Sequence, residues 1–196
     1  MKRNEIVAAL EPVIKSLNDL DILYYIGGSV ASSAFGIARA TLDVDLILQM
    51  GSYHITPLIT KLKNEYYIDE EMINDAIRTE SSFNLIHLET MLKIDVFISK
   101  NQPYPQKALE RKIQDKLEDD PNTIDIYLCS PEDVILSKLE WYKSGGEKSE
   151  RQWLDVLGVI KVQGDILDKS YLKMWAKELS VFNLLEKSFE ECGVVL

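Results

Sequence analysis

The sequence predicts an α/β (α+β) fold, with a mixed β-sheet flanked by helices and a helical bundle at the C-terminal end. Two observations carry this. Up to about residue 128, short β-prone apolar runs alternate with stretches of helical spacing, and after Ser130-Pro131 the spacing is helical throughout. The segment GGSVASSAFGIARATLDVDLILQ, residues 27–49, joins a glycine turn to two aspartates at the mouth of an apolar run. Side chains on a strand alternate faces, so Asp43 and Asp45 point the same way. Two carboxylates side by side repel unless a cation or protons offset them. The pair is therefore a candidate divalent-metal site next to a phosphate-cradling turn.

The elements follow in order. Residues 4–20 place Ile6, Val7, Leu10, Val13, Ile14, Leu17 and Leu20 at helical spacing, with Asn4 as N-cap and Pro12 as a point of kinking or breakage. Residues 22–26 form a first strand that stops at Gly27-Gly28. A short helix starts at Ser29 and runs to about 37, and residues 42–49 form a second strand. Ser52 is expected to cap a helix over 53–66, with Leu58, Ile59 and Leu62 on one face; Pro57, early in it, leaves a start nearer Thr56 as the alternative. Another helix covers 69–79. Residues 83–88 and 91–99 form a hairpin around Glu89-Thr90, although neither turn residue is Gly or Asn. On the second of these strands Lys93, Asp95 and Phe97 share a face. Residues 106–117 read as an amphipathic helix and 124–128 as the last strand.

Ser130-Pro131-Glu132-Asp133 is a strong helix start: a capping hydroxyl, a proline in the first turn and acids near the positive end of the dipole. That helix runs to about Tyr142 and is broken by Gly145-Gly146. Helices over 149–163, 168–179 and 181–192 complete the chain. The expected division is 1–128 for the sheet-containing core and 129–196 for the helical region.

Composition narrows the function. At 196 residues, 46% apolar and 28% charged, the chain has an ordinary globular profile and enough length for a real core. A net charge of −10 argues against a broad nucleic-acid-binding surface. Cys129 and Cys192 form no metal-binding spacing, which fits a reducing compartment. Glu5 interrupts any N-terminal apolar stretch, and the longest uncharged run is too short and too polar to span a bilayer. A cytoplasmic protein with no membrane partner is expected.

The chemistry-bearing residues form an ordered set. Phosphoryl or nucleotidyl transfer needs backbone N–H groups aimed at phosphate, oxygen ligands for hard cations and an aligned acceptor. Gly27, Gly28 and Ser29 before a helix supply the first. Asp43 and Asp45 supply most of the second. Asp95 is the candidate third carboxylate, because an acid inside Ile94-Asp95-Val96-Phe97-Ile98 is costly unless paired or metal-bound. Arg39 is placed to pair with Asp43 or to touch phosphate, and Thr41 to brace the loop. His87 reads as a satisfied strand histidine. Trp141, Trp153 and Trp175 read as core packing. Taken singly, a Gly-Gly turn or an Asp-x-Asp is commonplace; their order and context are what is specific.

This pattern resembles the DNA polymerase β-type nucleotidyltransferase superfamily, whose signature is a Gly-Ser turn, a spacer, Asp-x-Asp on the next strand and a further Asp on a neighbouring strand. The form Gly-Gly-Ser…Arg-x-Thr-x-Asp-x-Asp is similar in particular to the AbiEii-like small prokaryotic nucleotidyltransferases. The resemblance implies that Asp43, Asp45 and Asp95 are catalytic and hold two Mg²⁺ ions, with Asp95 assisting deprotonation of the acceptor. It implies that Gly27, Gly28, Ser29, Arg39 and Thr41 serve an NTP substrate. Lys138 and Asp155 match the lysine and aspartate that the AbiEii-like branch carries on consecutive helices, which implies that they belong to the nucleotide site, with Lys138 neutralising triphosphate charge. The implied reaction moves an NMP to an acceptor hydroxyl on RNA such as tRNA, on protein or on a small molecule. A toxin–antitoxin role goes with that branch, although this chain is short for its larger toxins. The rival reading is an inactive nucleotide- or partner-binding module on the same fold.

Overall fold

The structure is a computed structural model that describes residues 5–41, 43–118 and 123–196. Asn4 and Leu42, expected to open the first helix and the second strand, lie outside the described residues. The chain forms helix α1 (Glu5–Asp19), strand β1 (Leu23–Ile26), helix α2 (Gly28–Phe35) and strand β2 (Asp43–Gln49). Next come α3 (Ile55–Leu62), β3 (Tyr66–Tyr67), α4 (Glu70–Thr79), β4 (Ser82–His87) and β5 (Lys93–Ile98). Then follow α5 (Pro103–Glu110), β6 (Ile113–Lys116) and β7 (Asp125–Leu128). The remainder is helical: α6 (Pro131–Ser144), α7 (Glu150–Gln163), α8 (Lys169–Glu178) and α9 (Phe182–Cys192).

Contacts gather these elements into two units. The first contains the residues up to Gly27 together with Thr41–Leu128; the second contains Gly28–Ala40 and Cys129–Leu196.

In the first unit the described residues form a mixed sheet in the order β3-β4-β5-β2-β1-β7-β6. β2 runs parallel to β5 and antiparallel to β1, while β1 runs parallel to β7. The pairs β3/β4, β4/β5 and β6/β7 are antiparallel. β2 buries Val44, Leu46 and Leu48, and β5 buries Ile94, Val96 and Ile98. This two-residue alternation leaves Asp43, Asp45, Lys93, Asp95 and Phe97 on the opposite faces of their strands. α1 packs on α3 and β1 and holds Val7, Leu10, Val13, Ile14 and Leu17 at 2% exposure or less. Each such aliphatic side chain contributes about 1.5–3 kcal/mol on burial. Pro12 lies inside α1 without ending it, so of the two alternatives, kinking or breakage, the break does not occur.

In the second unit α2 packs against α6 and α7, and α7 against α9. Ser130 caps α6 by accepting from the Asp133 N–H. The Asp133 carboxylate in turn accepts from the Ser130 and Tyr171 hydroxyls, each at 2.7 Å. Val134, Ile135, Leu136, Leu139, Val159 and Leu172 form the apolar centre of the bundle. Among the described residues no helix is long and apolar enough to cross a membrane.

Three sequence expectations need correction. Residues 106–117 are not one helix. α5 begins three residues earlier, because Pro103 suits the first helical position, where no N–H is needed. Residues 113–116 instead add an edge strand to β7, closed by a 2.6 Å ion pair from Lys116 to Asp125. All four residues of β6 are exposed, so no burial alternation marked them. The helix over 53–66 is shorter at both ends: Ser52–His54 is a 3-10 turn without a side-chain cap, and Tyr66–Tyr67 pairs with β4. Tyr66 leaves the helical pattern because its ring is buried and its hydroxyl donates to the Ala9 carbonyl (2.6 Å). Trp141, expected in the core, is 58% exposed.

The hairpin stands, with its turn closed by a side chain. Thr90 Oγ1 lies 2.9 Å from His87 Nδ1 and accepts from the Leu92 N–H, while Met91 takes the left-handed conformation at φ +58°. That hydrogen bonding substitutes for the glycine or asparagine a tight turn usually requires. It also satisfies His87, as expected.

Candidate active site

Parallel pairing of β2 and β5 sets Asp45 directly beside Asp95, and Asp43 beside Lys93. Paired strands lie about 4.8 Å apart, so side chains on the same face at paired positions are neighbours. The three aspartates thus belong to one face of two adjacent strands. Asp43 is exposed, while Asp45 and Asp95 are half-buried. Gly27 donates its N–H to the Asp45 carbonyl (2.9 Å), which ties the end of β1 to the strand that carries the pair. The Thr41 hydroxyl donates to Asp43 Oδ1 (2.8 Å) and so orients that carboxylate.

Two residues that the sequence reading did not assign to the site complete this cluster. Lys93 Nζ lies 2.7 Å from Asp95 Oδ2. The Asn84 side chain, at the register position paired with Asp95 on β4, places its amide nitrogen 2.5 Å from Asp95 Oδ1 when the amide is turned to donate. The hydrogen bond that Lys93 donates to Asp95 holds the ammonium above its ordinary pKa. The charges of Asp95, Asp43 and Asp45 add to this and outweigh partial burial. Among the described residues no three His, Cys, Asp or Glu side chains form a ready-made metal cluster. The donor set nonetheless suits a hard divalent cation: every ligand is a carboxylate oxygen, and one positive group already rests on it.

The remaining candidates meet in the second unit. Asp155, buried on α7, receives the Arg39 guanidinium as a fork, Nε to Oδ1 and Nη2 to Oδ2, both at 2.9 Å. Lys138 Nζ on α6 reaches the same Oδ2 at 2.7 Å. Burial alone would raise the Asp155 pKa. Hydrogen bonds from Arg39 and then Lys138 outweigh it and hold the carboxyl below the usual range. Lys138 is 4% exposed and neutralised in place by Asp155. Arg39 Nη2 also donates to Ser29 Oγ (2.5 Å), and the Ser32 hydroxyl reaches the Ser29 carbonyl (3.2 Å). Gly28, the first residue of α2, has φ +53°, a left-handed conformation that favours glycine. The start of α2 thus combines helix-end N–H groups, a serine hydroxyl and a clamped guanidinium. That combination attracts phosphate-type anions.

No protein-family model and no curated protein matches the sequence. Solved structures do match the fold. An antigenic nucleotidyltransferase-like protein from Paracoccidioides brasiliensis superposes with a TM-score of 0.56 at 17% identity, covering 95% of this chain and 93% of that one. The ANT(2")-Ia structure in complex with adenylyl-2"-tobramycin gives 0.54 at 11% identity, covering 94% and 98%. The solution structure of the antibiotic-resistance factor ANT(2'')-Ia gives 0.52 at 11% identity, covering 94% and 97%. The chain has the nucleotidyltransferase fold: a mixed sheet flanked by helices with a helical C-terminal region.

Proposed function

We propose that this chain is a Mg²⁺-dependent nucleotidyltransferase that moves an NMP from an NTP to an acceptor hydroxyl and releases pyrophosphate. The observation that carries the reading is the β2/β5 register, which sets Asp45 beside Asp95 with Asp43 two residues along the same strand. Asp43, Asp45 and Asp95 would hold the metal, two ions when fully loaded. Bound Mg²⁺ offsets charge on the triphosphate and on the α-phosphoryl group. The Gly27-Gly28-Ser29 turn presents backbone N–H groups to the triphosphate. Arg39, fixed by Asp155 on Ser29, adds positive charge there, and Lys138 keeps Asp155 in place. Thr41 orients Asp43. Asp95 takes the proton of the attacking hydroxyl.

The motif order, with Lys138 and Asp155 paired, supports placing the enzyme in the cytoplasmic AbiEii-like branch, and a toxin–antitoxin setting goes with that placement. A small-molecule acceptor is supported by the acidic net charge and by the adenylyl-2"-tobramycin seen with a protein of the same fold. The test uses labelled NTPs with Mg²⁺ against an aminoglycoside panel, a tRNA pool and a protein extract. Label should appear on an acceptor with wild type and be lost with Asp43→Ala or Asp45→Ala. Unchanged labelling in both variants would refute the site.

One observation favours a second reading. A lysine already neutralises Asp95, as suits a nucleotide-binding module without turnover. Calorimetry decides between them: NTP binding that is indifferent to Mg²⁺, with no label transfer, would favour the module.

A further inference from the structure

We infer that Lys93 is a built-in counter-cation of the aspartate site: it neutralises Asp95 in the metal-free protein and must leave Asp95 Oδ2 before a divalent ion can take that oxygen. The inference rests on reading the aspartates as a metal site. Three carboxylates on one face of two paired strands, Asp45 beside Asp95 and Asp43 two residues along, carry three negative charges, and their repulsion opposes the fold unless a cation is present. Lys93 meets that need from within the cluster. It sits two residues before Asp95 on the same face of β5, paired in register with Asp43, with its ammonium 2.7 Å from Asp95 Oδ2.

The two partners differ in freedom. The Lys93 side chain is 47% exposed and the Asp95 side chain 18%. Lysine carries a flexible four-carbon stem, so its ammonium can turn to solvent while Asp95 stays on the strand. With its lysine half in solvent, such a pair is weak. A doubly charged ion held by two or three carboxylates outcompetes it, so the metal displaces the lysine rather than being excluded by it. Asn84, donating to the other Asp95 oxygen, keeps the carboxylate oriented through the exchange. Lys93 then acts as a competitor that tunes the metal concentration at which the site loads and spares the empty site its self-repulsion.

The experiment is a Mn²⁺ titration of the nucleotide-free protein, followed by the magnetic resonance signal of free Mn²⁺ and by melting temperature. Lys93→Met should bind Mn²⁺ about two- to fivefold more tightly than wild type. It should melt lower without metal and gain more on adding it. Lys93→Gln should behave like Lys93→Met, and Lys93→Arg like wild type. Asp45→Asn should weaken binding in every background. Wild-type binding that is sensitive to Asp45→Asn, but no tighter in Lys93→Met or Lys93→Gln, overturns the counter-cation role and leaves the metal site standing. No Mn²⁺ binding in wild type, Lys93→Met and Lys93→Gln alike overturns the metal-site reading and the inference with it.

Discussion

Asp155 offers two buried oxygens to three charged donors, two from Arg39 and one from Lys138. A buried carboxylate with such partners cannot serve as a free base, because its proton affinity is lowered. Its work is positional: it fixes the guanidinium that reaches Ser29. Removing one member of a buried ion pair leaves the other uncompensated, at a cost of about 3–5 kcal/mol. Asp155→Asn should cost that much in urea-unfolding free energy, since it strands both Lys138 and Arg39. Lys138→Met should cost clearly less, because Arg39 still neutralises Asp155 and the methionine fills the same space. Equal losses for the two variants would mean that Lys138, not Arg39, is the main partner.

At the scale of elements, α2 shows how closely the fold constrains its residues. Gly36, just past its end, would place a Cβ 2.8 Å from the Val159 nitrogen on α7 and 2.8 Å from the Ser32 carbonyl. Both obstacles are backbone, which cannot turn aside. Gly36→Ala should therefore cost about 1–3 kcal/mol by overpacking, and Gly28→Ala about 1–2 kcal/mol through its left-handed φ. Chemical denaturation measures both, and a neutral Gly36→Ala would show that α2 and α7 can separate freely. β2 and β5 were legible in the sequence because burial on one face imposes a period of two. β6 was not, because a strand exposed on every residue carries no such period. β3 is two residues long and exists through its pairing with β4, which no local pattern records. The same logic divides the candidate site. Acids inside apolar runs announced Asp43, Asp45 and Asp95. The strand period puts Lys93 on the face of Asp95 and Phe97, but only the folded chain shows its ammonium on the carboxylate. The Arg39–Asp155 fork spans 116 residues, and only the folded chain reveals it.

For the whole molecule the ionisable groups set a stability window at both ends of the pH scale. On the acid side, folded Asp155 binds its proton less readily than the unfolded residue does. Its stabilisation is present above the usual carboxylate value of about 4 and is lost as pH falls through the lower folded value. Acidification also relieves the −10 net charge. That relief is the weaker effect, because exposed charges are screened over about 8 Å at physiological salt. On the alkaline side, burial pushes Tyr24 and Tyr66 above their ordinary value, with Tyr127 adding to Tyr24 and Glu65 to Tyr66. Unfolded tyrosines then ionise first, so stability is full below about pH 10 and declines above it. Melting temperature should form a plateau between about pH 5 and 9 and fall on either side. In Tyr24→Phe/Tyr66→Phe the alkaline limb should flatten, at a uniform cost of about 1 kcal/mol for the lost Tyr66–Ala9 hydrogen bond. An alkaline limb as steep in the double variant as in wild type would assign that loss to other groups, the Lys93–Asp95 pair first among them.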